Sequence, residues 1–297
     1  MTYGKITIDS YGVNLKNAHV NLGNRLIEHA ISILLNLKPA DALVSMFKIP
    51  SQVEIDKLNT CDFVLLPGST ILADAPGNSD VLNLLDKIKV PKLCVAASCW
   101  GPRYKPYVSA MKNITPPIGC RDPYTLNVCK SLGIPAILTG CPTAYLPLQK
   151  NTPTVPYSIV GFARTHIDWQ VNLFNKLNGK VVSAIQENKF EVPIARRVCS
   201  DIFTYEDPIN VMRHYAEAKQ VITGRLHGVL PALSQHKDVM FFGDNRDTRF
   251  SLLEYLNIDV CTMVNSKKIT LQNKSVYSDK LAELKSNFYK WARTFGL

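Results

Sequence analysis

Short apolar runs that end in turn residues recur along this chain, and they alternate with segments of helical spacing. Residues 61–66 form such a run before a Pro-Gly-Ser-Thr turn, and residues 92–97 form another before Gly101. Continuous apolar strands are typical of parallel sheets that helices cover on both faces. Similar runs begin at residues 5, 42, 118, 136, 157, 180, 221 and 238. The pattern therefore predicts an α/β fold built from parallel sheets.

A proline-rich stretch at residues 147–156 divides this pattern into two series of strands and helices. We predict a Rossmann-like N-terminal domain at residues 1–148 and a Rossmann-like C-terminal domain at residues 157–277. Residues 278–297 are predicted to form a helix that packs across both domains. Its apolar side consists of Leu281, Leu284, Phe288 and Trp291. Two such domains would face each other across a cleft, where ligands of α/β folds bind beside the carboxyl ends of strands.

Charge and composition narrow the classes of partner and site. The net charge of +10 favours anionic partners, but the basic residues are scattered and not interleaved with aromatic residues, so we predict no nucleic acid partner. The 8 cysteines contain no Cys-x-x-Cys pair and the 6 histidines are dispersed, so no metal site and no cofactor are predicted. No apolar run reaches the roughly 18–20 residues of a membrane span, and the N-terminus has the pattern of a strand; we expect a cytoplasmic protein.

The segment at residues 221–233 has the strongest functional pattern. An apolar run is followed by Arg225 and His227, which lie between Gly224 and Gly228, and a second apolar run predicts a helix with Pro231 in its first turn. One interpretation is an anion site at the start of a helix. The other is a tight turn in which the arginine pairs with a local carboxylate. The segment alone leaves both open.

Further cations are predicted at strand ends, where carboxylates are fewer. The set comprises Arg121, Arg164, Arg225, Arg246 and Arg249. Because arginine favours planar, bidentate recognition of carboxylate or phosphate, the predicted substrate is small and multiply anionic. Gly23 and Asn24 lie at the entrance of a predicted helix, either as an anion-binding turn or as a simple turn and N-cap. Nucleotide-binding and hydrolase motifs of the Gly-x-Gly-x-x-Gly, Walker A and Gly-x-Ser-x-Gly types are absent.

Several of these segments resemble the polysaccharide pyruvyl transferase family. Residues 223–233 resemble its Arg-Leu-His motif, residues 119–126 its Arg-Asp segment, and residues 21–24 its Asn-x-Gly element. The family's glycine-rich loop has no match, since the corresponding residues 66–70 are Leu-Pro-Gly-Ser-Thr. The resemblance implies a glycosyltransferase-B-like fold of two Rossmann-like domains. It also implies transfer of the pyruvyl group of phosphoenolpyruvate onto sugar hydroxyls, commonly as a cyclic ketal.

Carried onto this chain, the resemblance gives His227 the role of acid and base. Arg121 would bind the carboxylate or phosphate of the donor. Arg249 stands where family members often have a lysine after an Asp-Asn element, with Arg246 as the alternative for that role. Arg225 would either contact the donor or hold the turn. The predicted substrate-binding set is Arg225, Arg249, Arg164, Gly224, Gly228 and Asn245.

The resemblance also suggests an acceptor, namely the sugar of a surface polysaccharide or of its lipid-linked precursor. The basic surface would suit peripheral association with the inner face of an anionic membrane. Two other functions stay open from the sequence. One is a glycosyltransferase of the same two-domain shape that uses a nucleotide sugar. The other is a non-catalytic binding protein with this fold.

Overall fold

A computed structural model shows how the chain folds. The residues described are 1–8, 22–74, 84–101, 104–149, 154–163, 166–177, 180–185, 188–204, 208–243, 247–262 and 277–297. They contain two groups of parallel strands with helices around them, as the apolar runs predicted. The first group draws its strands from residues 3–138 and the second from residues 157–262.

The first sheet carries six described strands that all run parallel. They are β1 (Tyr3–Thr7), β2 (Ala42–Ser45), β3 (Phe63–Leu66), β4 (Lys92–Cys94), β5 (Ile118–Cys120) and β6 (Ala136–Leu138). Strands β2, β1, β3 and β4 pair in that order, and β5 pairs with β6. Ala97 joins the two parts through parallel bridges to Ser69 and Cys120. The chain order reverses between β1 and β3, which makes their carboxyl ends a switch point of the kind at which α/β proteins bind ligands.

Helices connect these strands, and their ends follow from the sequence. They are α1 (Leu22–Leu34), α2 (Gln52–Leu58), α3 (Val108–Asn113) and α4 (Pro123–Ser131), with 3-10 turns at Leu85–Lys87 and Pro142–Tyr145. Ser51 and Glu54 form a reciprocal capping box at the start of α2. Asp122 caps α4 by accepting a hydrogen bond from the Thr125 backbone amide at 2.9 Å.

The second sheet has the strand order of a nucleotide-binding Rossmann sheet. Its described strands are β7 (Tyr157–Gly161), β8 (Lys180–Ile185), β9 (Asp201–Thr204), β10 (Gln220–Thr223), β11 (Asp238–Gly243) and β12 (Val260–Thr262). They pair in the order β12-β11-β10-β7-β8-β9, and every pair is parallel. The order reverses between β7 and β10, so the second switch point lies beside the ends of these two strands.

The second half contains six described helices, and two local predictions about helices of the chain need correction. They are α5 (Ile167–Asn175), α6 (Asn188–Ala195), α7 (Pro208–Glu217), α8 (Leu226–Ser234), α9 (Ser251–Tyr255) and α10 (Ser278–Thr294), with a 3-10 turn at Thr248–Phe250. Pro231 was predicted in the first turn of its helix, but α8 begins at Leu226 and places the proline inside it. Similarly, α1 begins at Leu22, so Gly23 and Asn24 belong to its first turn and not to a preceding turn and cap.

Helix α10 returns the end of the chain to the first sheet. The Tyr277 hydroxyl just before it donates to the Lys237 carbonyl at 3.3 Å, whereas Trp291 donates from Nε1 to the Pro117 carbonyl at 3.0 Å. The predicted apolar side of this helix, including Leu284 and Phe288, is buried. Residues 144–148, the end of α8 and the start of α10 line a cavity of about 320 Å³. Among the described helices, none combines the length and the apolar character of a membrane span.

Candidate active site

The segment with the strongest sequence pattern lies at the switch point of the second sheet. Thr223 ends β10 beside Gly161, the last residue of β7, and the Gly224 amide continues the ladder by donating to the Gly161 carbonyl at 3.1 Å. The Thr223 hydroxyl accepts from the Arg225 amide at 3.0 Å, which turns the chain out of the strand. Arg225 is then the N-cap residue of α8, and His227 lies in the first turn of this helix.

The two glycines that flank this pair make room for close packing. A Cβ atom at Gly224 would lie 2.6 Å from atoms of Ala163 and Phe242. A Cβ atom at Gly228 would lie 2.8 Å from the Thr223 hydroxyl. Real Cβ contacts are essentially never this short, so glycine at both positions lets α8 start directly on the sheet. Both residues thus position the site through the backbone.

His227 is the titratable group at the centre of the site. Its Nε2 atom is buried and accepts or donates no hydrogen bond among the residues that the structure describes. Burial, followed by the positive charges of Arg121, Arg249 and Arg225, lowers the pKa of the imidazole to about 3. At neutral pH the imidazole is therefore neutral, with one ring nitrogen that its described neighbours leave unused.

Arg121 approaches His227 from the first sheet. Its backbone amide donates to the Ala97 carbonyl at 2.8 Å, and its side chain is only 2% exposed. The Nε atom lies 3.6 Å from a carboxylate oxygen of Asp122, but neither Nε nor Nη2 makes a hydrogen bond to a described residue. Burial lowers the pKa of Arg121, although a guanidinium keeps its charge at any physiological pH. A buried cation with unused donors is suited to bind an anion.

Arg225 has a partner that the sequence did not identify. Its Nη2 atom lies 2.7 Å from Glu191, a fully buried acid in α6, and its guanidinium lies 5.7 Å from the ring centre of Phe190. This ion pair is the local carboxylate contact that one of the two interpretations of the segment required. It orients the guanidinium near His227 while leaving the predicted contact with substrate untested. The only sequence signal for Glu191 is an acid inside a largely apolar helical segment.

Arg249 closes the third side of the site and also contacts the first half of the chain. Its Nε donates to Asp247 at 2.9 Å, and its guanidinium lies 3.9 Å from the ring centre of Trp100. Next to it, the Thr248 hydroxyl donates to the Gly101 carbonyl at 2.5 Å. These contacts bring the turn after β11 against the loop after β4. No local sequence pattern predicted the stacking of Arg249 on Trp100.

Other predicted residues lie outside the described part of the chain. These are Arg164, Asn245 and Arg246. Their roles stay predictions. Within the described ranges, no group of three or more His, Cys, Asp or Glu side chains is arranged to hold a metal ion.

The arrangement has a clear chemical character. Three guanidinium groups, from Arg121, Arg225 and Arg249, act on one neutral imidazole strongly enough to lower its pKa. Arg225 and Arg249 each pair closely with an acid that orients the guanidinium, whereas Asp122 lies 3.6 Å from Arg121. Such a site suits a small ligand with two anionic ends, and it offers a ring nitrogen to move a proton beside that ligand.

Comparison with known proteins gives a match to a family model. The family model described as Polysaccharide pyruvyl transferase matches residues 13–246. The matched range includes Arg121, Arg225 and His227, whereas Arg249 lies just beyond it. No individual curated protein is similar enough in sequence to count as a match.

Solved structures share the architecture at low sequence identity. S. aureus MnaA in its UDP co-structure is 11% identical, with a TM-score of 0.59, and the match covers 97% of this chain and 91% of that one. Methanocaldococcus jannaschii UDP-GlcNAc 2-epimerase in complex with UDP-GlcNAc and UDP is 11% identical, with a TM-score of 0.53, covering 96% and 100%. The Neisseria meningitidis UDP-GlcNAc 2-epimerase bound to UDP-GlcNAc is 14% identical, with a TM-score of 0.50, covering 89% and 83%. The predicted glycosyltransferase-B-like α/β fold is confirmed.

Proposed function

The chain belongs to the polysaccharide pyruvyl transferase family, and we propose that it transfers the pyruvyl group of phosphoenolpyruvate to sugar hydroxyls as a cyclic ketal. The convergence of Arg121, Arg225 and Arg249 on His227 carries this proposal. Phosphoenolpyruvate has a carboxylate and a phosphate on one small carbon frame, and this donor matches several fixed guanidinium groups better than a singly charged ligand does. The acceptor is a surface polysaccharide or its lipid-linked precursor.

His227 moves the proton in the proposed reaction. Burial and, after it, the charges of the three arginines lower the pKa of His227. In this scheme the multiply anionic donor offsets the arginine charges and adds negative charge beside the ring, which raises that pKa so that the imidazole takes up a proton as the donor binds. The imidazolium protonates the methylene carbon of the donor, which makes C2 electrophilic. The first sugar hydroxyl attacks C2 and gives its proton to the now neutral imidazole. A second hydroxyl then displaces the phosphate from C2, and its proton leaves with the phosphate.

The arginines bind and orient in this scheme. Arg121 is the best placed to bind an anionic group of the donor, because its buried Nε and Nη2 have no described hydrogen-bond partner. Arg249 stabilises the departing phosphate while its stack on Trp100 holds it in place. Arg225, paired with Glu191, contributes charge near the imidazole and contacts the donor more weakly.

The solved relatives favour one second candidate. Two of these structures contain UDP, and one of the two also contains UDP-GlcNAc. A sugar-nucleotide donor on the same cationic site would make this chain a glycosyltransferase. The products distinguish the two. A ketal adds the mass of pyruvate less one water and releases inorganic phosphate, whereas glycosyl transfer adds a sugar residue and releases UDP.

The decisive experiment incubates the protein with phosphoenolpyruvate, and separately with UDP-sugars, in the presence of lipid-linked saccharide acceptors. We expect phosphate release and the pyruvate mass shift by mass spectrometry, and we expect His227→Gln to lose about 100-fold or more of this activity. His236→Asn is the matched control, since it changes a histidine beyond the far end of α8, where the left-handed backbone suits asparagine. Full activity of His227→Gln would refute the mechanism, and a product made only from a UDP-sugar would refute the donor.

A further inference from the structure

His227 lies directly on the backbone of a helix from the other half of the chain. A Cβ atom at Gly23, in the first turn of α1, would lie 2.5 Å from His227 Nδ1 and 2.9 Å from its Cβ and Cγ. Contacts below 3.0 Å essentially never occur for real Cβ atoms. The imidazole therefore occupies the space that any side chain larger than hydrogen would need at this position.

The first turn of α1 is fixed to the first sheet, so it cannot easily move away. Asn24 donates from Nδ2 to the Ile8 carbonyl at 3.0 Å and accepts from the Ser69 hydroxyl at 3.3 Å. One turn further, Glu28 accepts from the Thr7 hydroxyl at 2.6 Å and from the Ile8 amide at 2.7 Å. These bonds tie α1 to the carboxyl ends of β1 and β3, the switch point of the first sheet. With the helix held there, an added Cβ atom would displace the imidazole.

The same contact affects the charge on the ring. The N-terminal turn of a helix carries partial positive charge, which disfavours a proton on a histidine beside it. The charged side chains that act on the imidazole are those of Arg121 from the first sheet, Arg225 from its own helix and Arg249 from the turn after β11. Burial is the largest cause of the lowered pKa, and the first turns of α1 and of α8, which contains His227 itself, act in the same direction as the three arginines.

We propose that Gly23 is a positioning residue: the bare first turn of α1 seats the imidazole of His227, so that the acid-base group is in place only when both halves of the chain are together. This inference rests on the proposed function for the reaction it serves. The contact between Gly23 and the imidazole is a physical property of the site, and its effect on His227 can be measured without any substrate.

The test replaces Gly23 by alanine. We expect kcat to fall about 10- to 100-fold, because a displacement of about 1 Å has this effect on a catalytic group, while the KM for phosphoenolpyruvate changes little since the arginines are untouched. Because the imidazolium is the form that protonates the donor, the basic limb of the pH profile should move to higher pH, as a ring displaced from the helix end binds its proton more readily.

A second readout uses no substrate. The ring resonance of His227, assigned by its absence in His227→Gln, should titrate at higher pH in Gly23→Ala than in the unchanged protein. Gly4→Ala is the matched control, because a Cβ atom there would lie 2.6 Å from Leu58, equally close but in contact with the far end of a side chain away from the site. This control should keep kcat and the His227 titration. If the chain proves to lack pyruvyl transfer, the resonance still tests whether Gly23 positions the imidazole of His227.

Two results would overturn the inference. One is an unchanged His227 titration in Gly23→Ala, and the other is an equal loss of kcat in Gly4→Ala. If Gly23→Ala does not fold, Asn24→Ala removes the bonds to Ile8 and Ser69 that hold the first turn. It should move the titration in the same direction by a smaller amount, and no movement in that variant would equally contradict the proposal.

Discussion

The neutral imidazole of His227 should make the folding stability depend on pH, and His227→Gln should remove that dependence. In the folded protein the pKa of this ring is about 3, and burial is the main cause. In the unfolded chain the pKa of histidine is about 6.5. The unfolded state therefore binds the proton more strongly. As the pH falls below about 6.5, the folded state loses stability, and the loss continues until the folded-state pKa is reached.

The size of the effect follows from the two pKa values. At about pH 5 the histidine is protonated in the unfolded chain and neutral in the folded protein. This pH lies roughly 1.5 units below the pKa of the unfolded histidine. At about 1.4 kcal/mol per unit, this costs about 2 kcal/mol of unfolding free energy. Solvent that reaches part of the ring reduces the figure, so 2 kcal/mol is the upper end. Glutamine has similar polarity but cannot be protonated in this pH range, so the variant does not lose this unfolding free energy.

Urea unfolding, followed by tryptophan fluorescence, measures the free energy of unfolding of both proteins at neutral pH and at about pH 5. The carboxylates and the other histidines titrate alike in both proteins, so they cancel when the loss in the variant is subtracted from the loss in the unchanged protein. We expect the unchanged protein to lose about 1–2 kcal/mol more than His227→Gln. Equal losses would show that His227 is not held neutral, and the reasoning from burial and the three arginines would fail.

Two further predictions concern binding of the protein to phosphoenolpyruvate and to anionic lipid. Arg121→Lys keeps one charge but loses the planar fork, so the Kd for phosphoenolpyruvate, measured by calorimetry, should rise about 10-fold or more; unchanged affinity would place the donor elsewhere. The net charge of +10 should bring the protein to vesicles with anionic lipid in a flotation assay at low salt, and high salt should release it. Flotation with neither anionic nor neutral vesicles would remove the proposed membrane association.

Much of the fold could be predicted because its central strands are continuous apolar runs. Strands β3 and β10 are buried along nearly their whole length, and such strands can be recognised in the sequence as continuous apolar runs. Strand β9 was missed, since it lies at the sheet edge, is only four residues long and begins with a charged residue. Helix α6 was missed as well, because Pro193 interrupts a segment whose helical state depends on packing against the sheet.

The site residues that follow strands could be predicted, because the carboxyl ends of parallel strands lie at one edge of a sheet. Arg121 and His227 follow strands of different sheets. Each sheet brings its own strand ends to one edge, and the two edges face each other, which places the two residues close together. Their partners were not predictable in the same way. Glu191 and Trp100 meet Arg225 and Arg249 only through tertiary packing, and a local pattern does not specify which distant side chain a cation will find.

Two described segments link the halves of the chain beside one cavity of about 320 Å³. Gln235, just after α8, accepts from the Gln149 amide at 2.9 Å and donates to the Pro147 carbonyl at 3.1 Å. Helix α10 provides the second link, because Tyr277 bonds to Lys237 and Trp291 bonds to Pro117. Gly23 and His227 belong to different halves, so any rotation of one half against the other would change the distance between them. The pH at which His227 titrates would therefore report the relative position of the two halves.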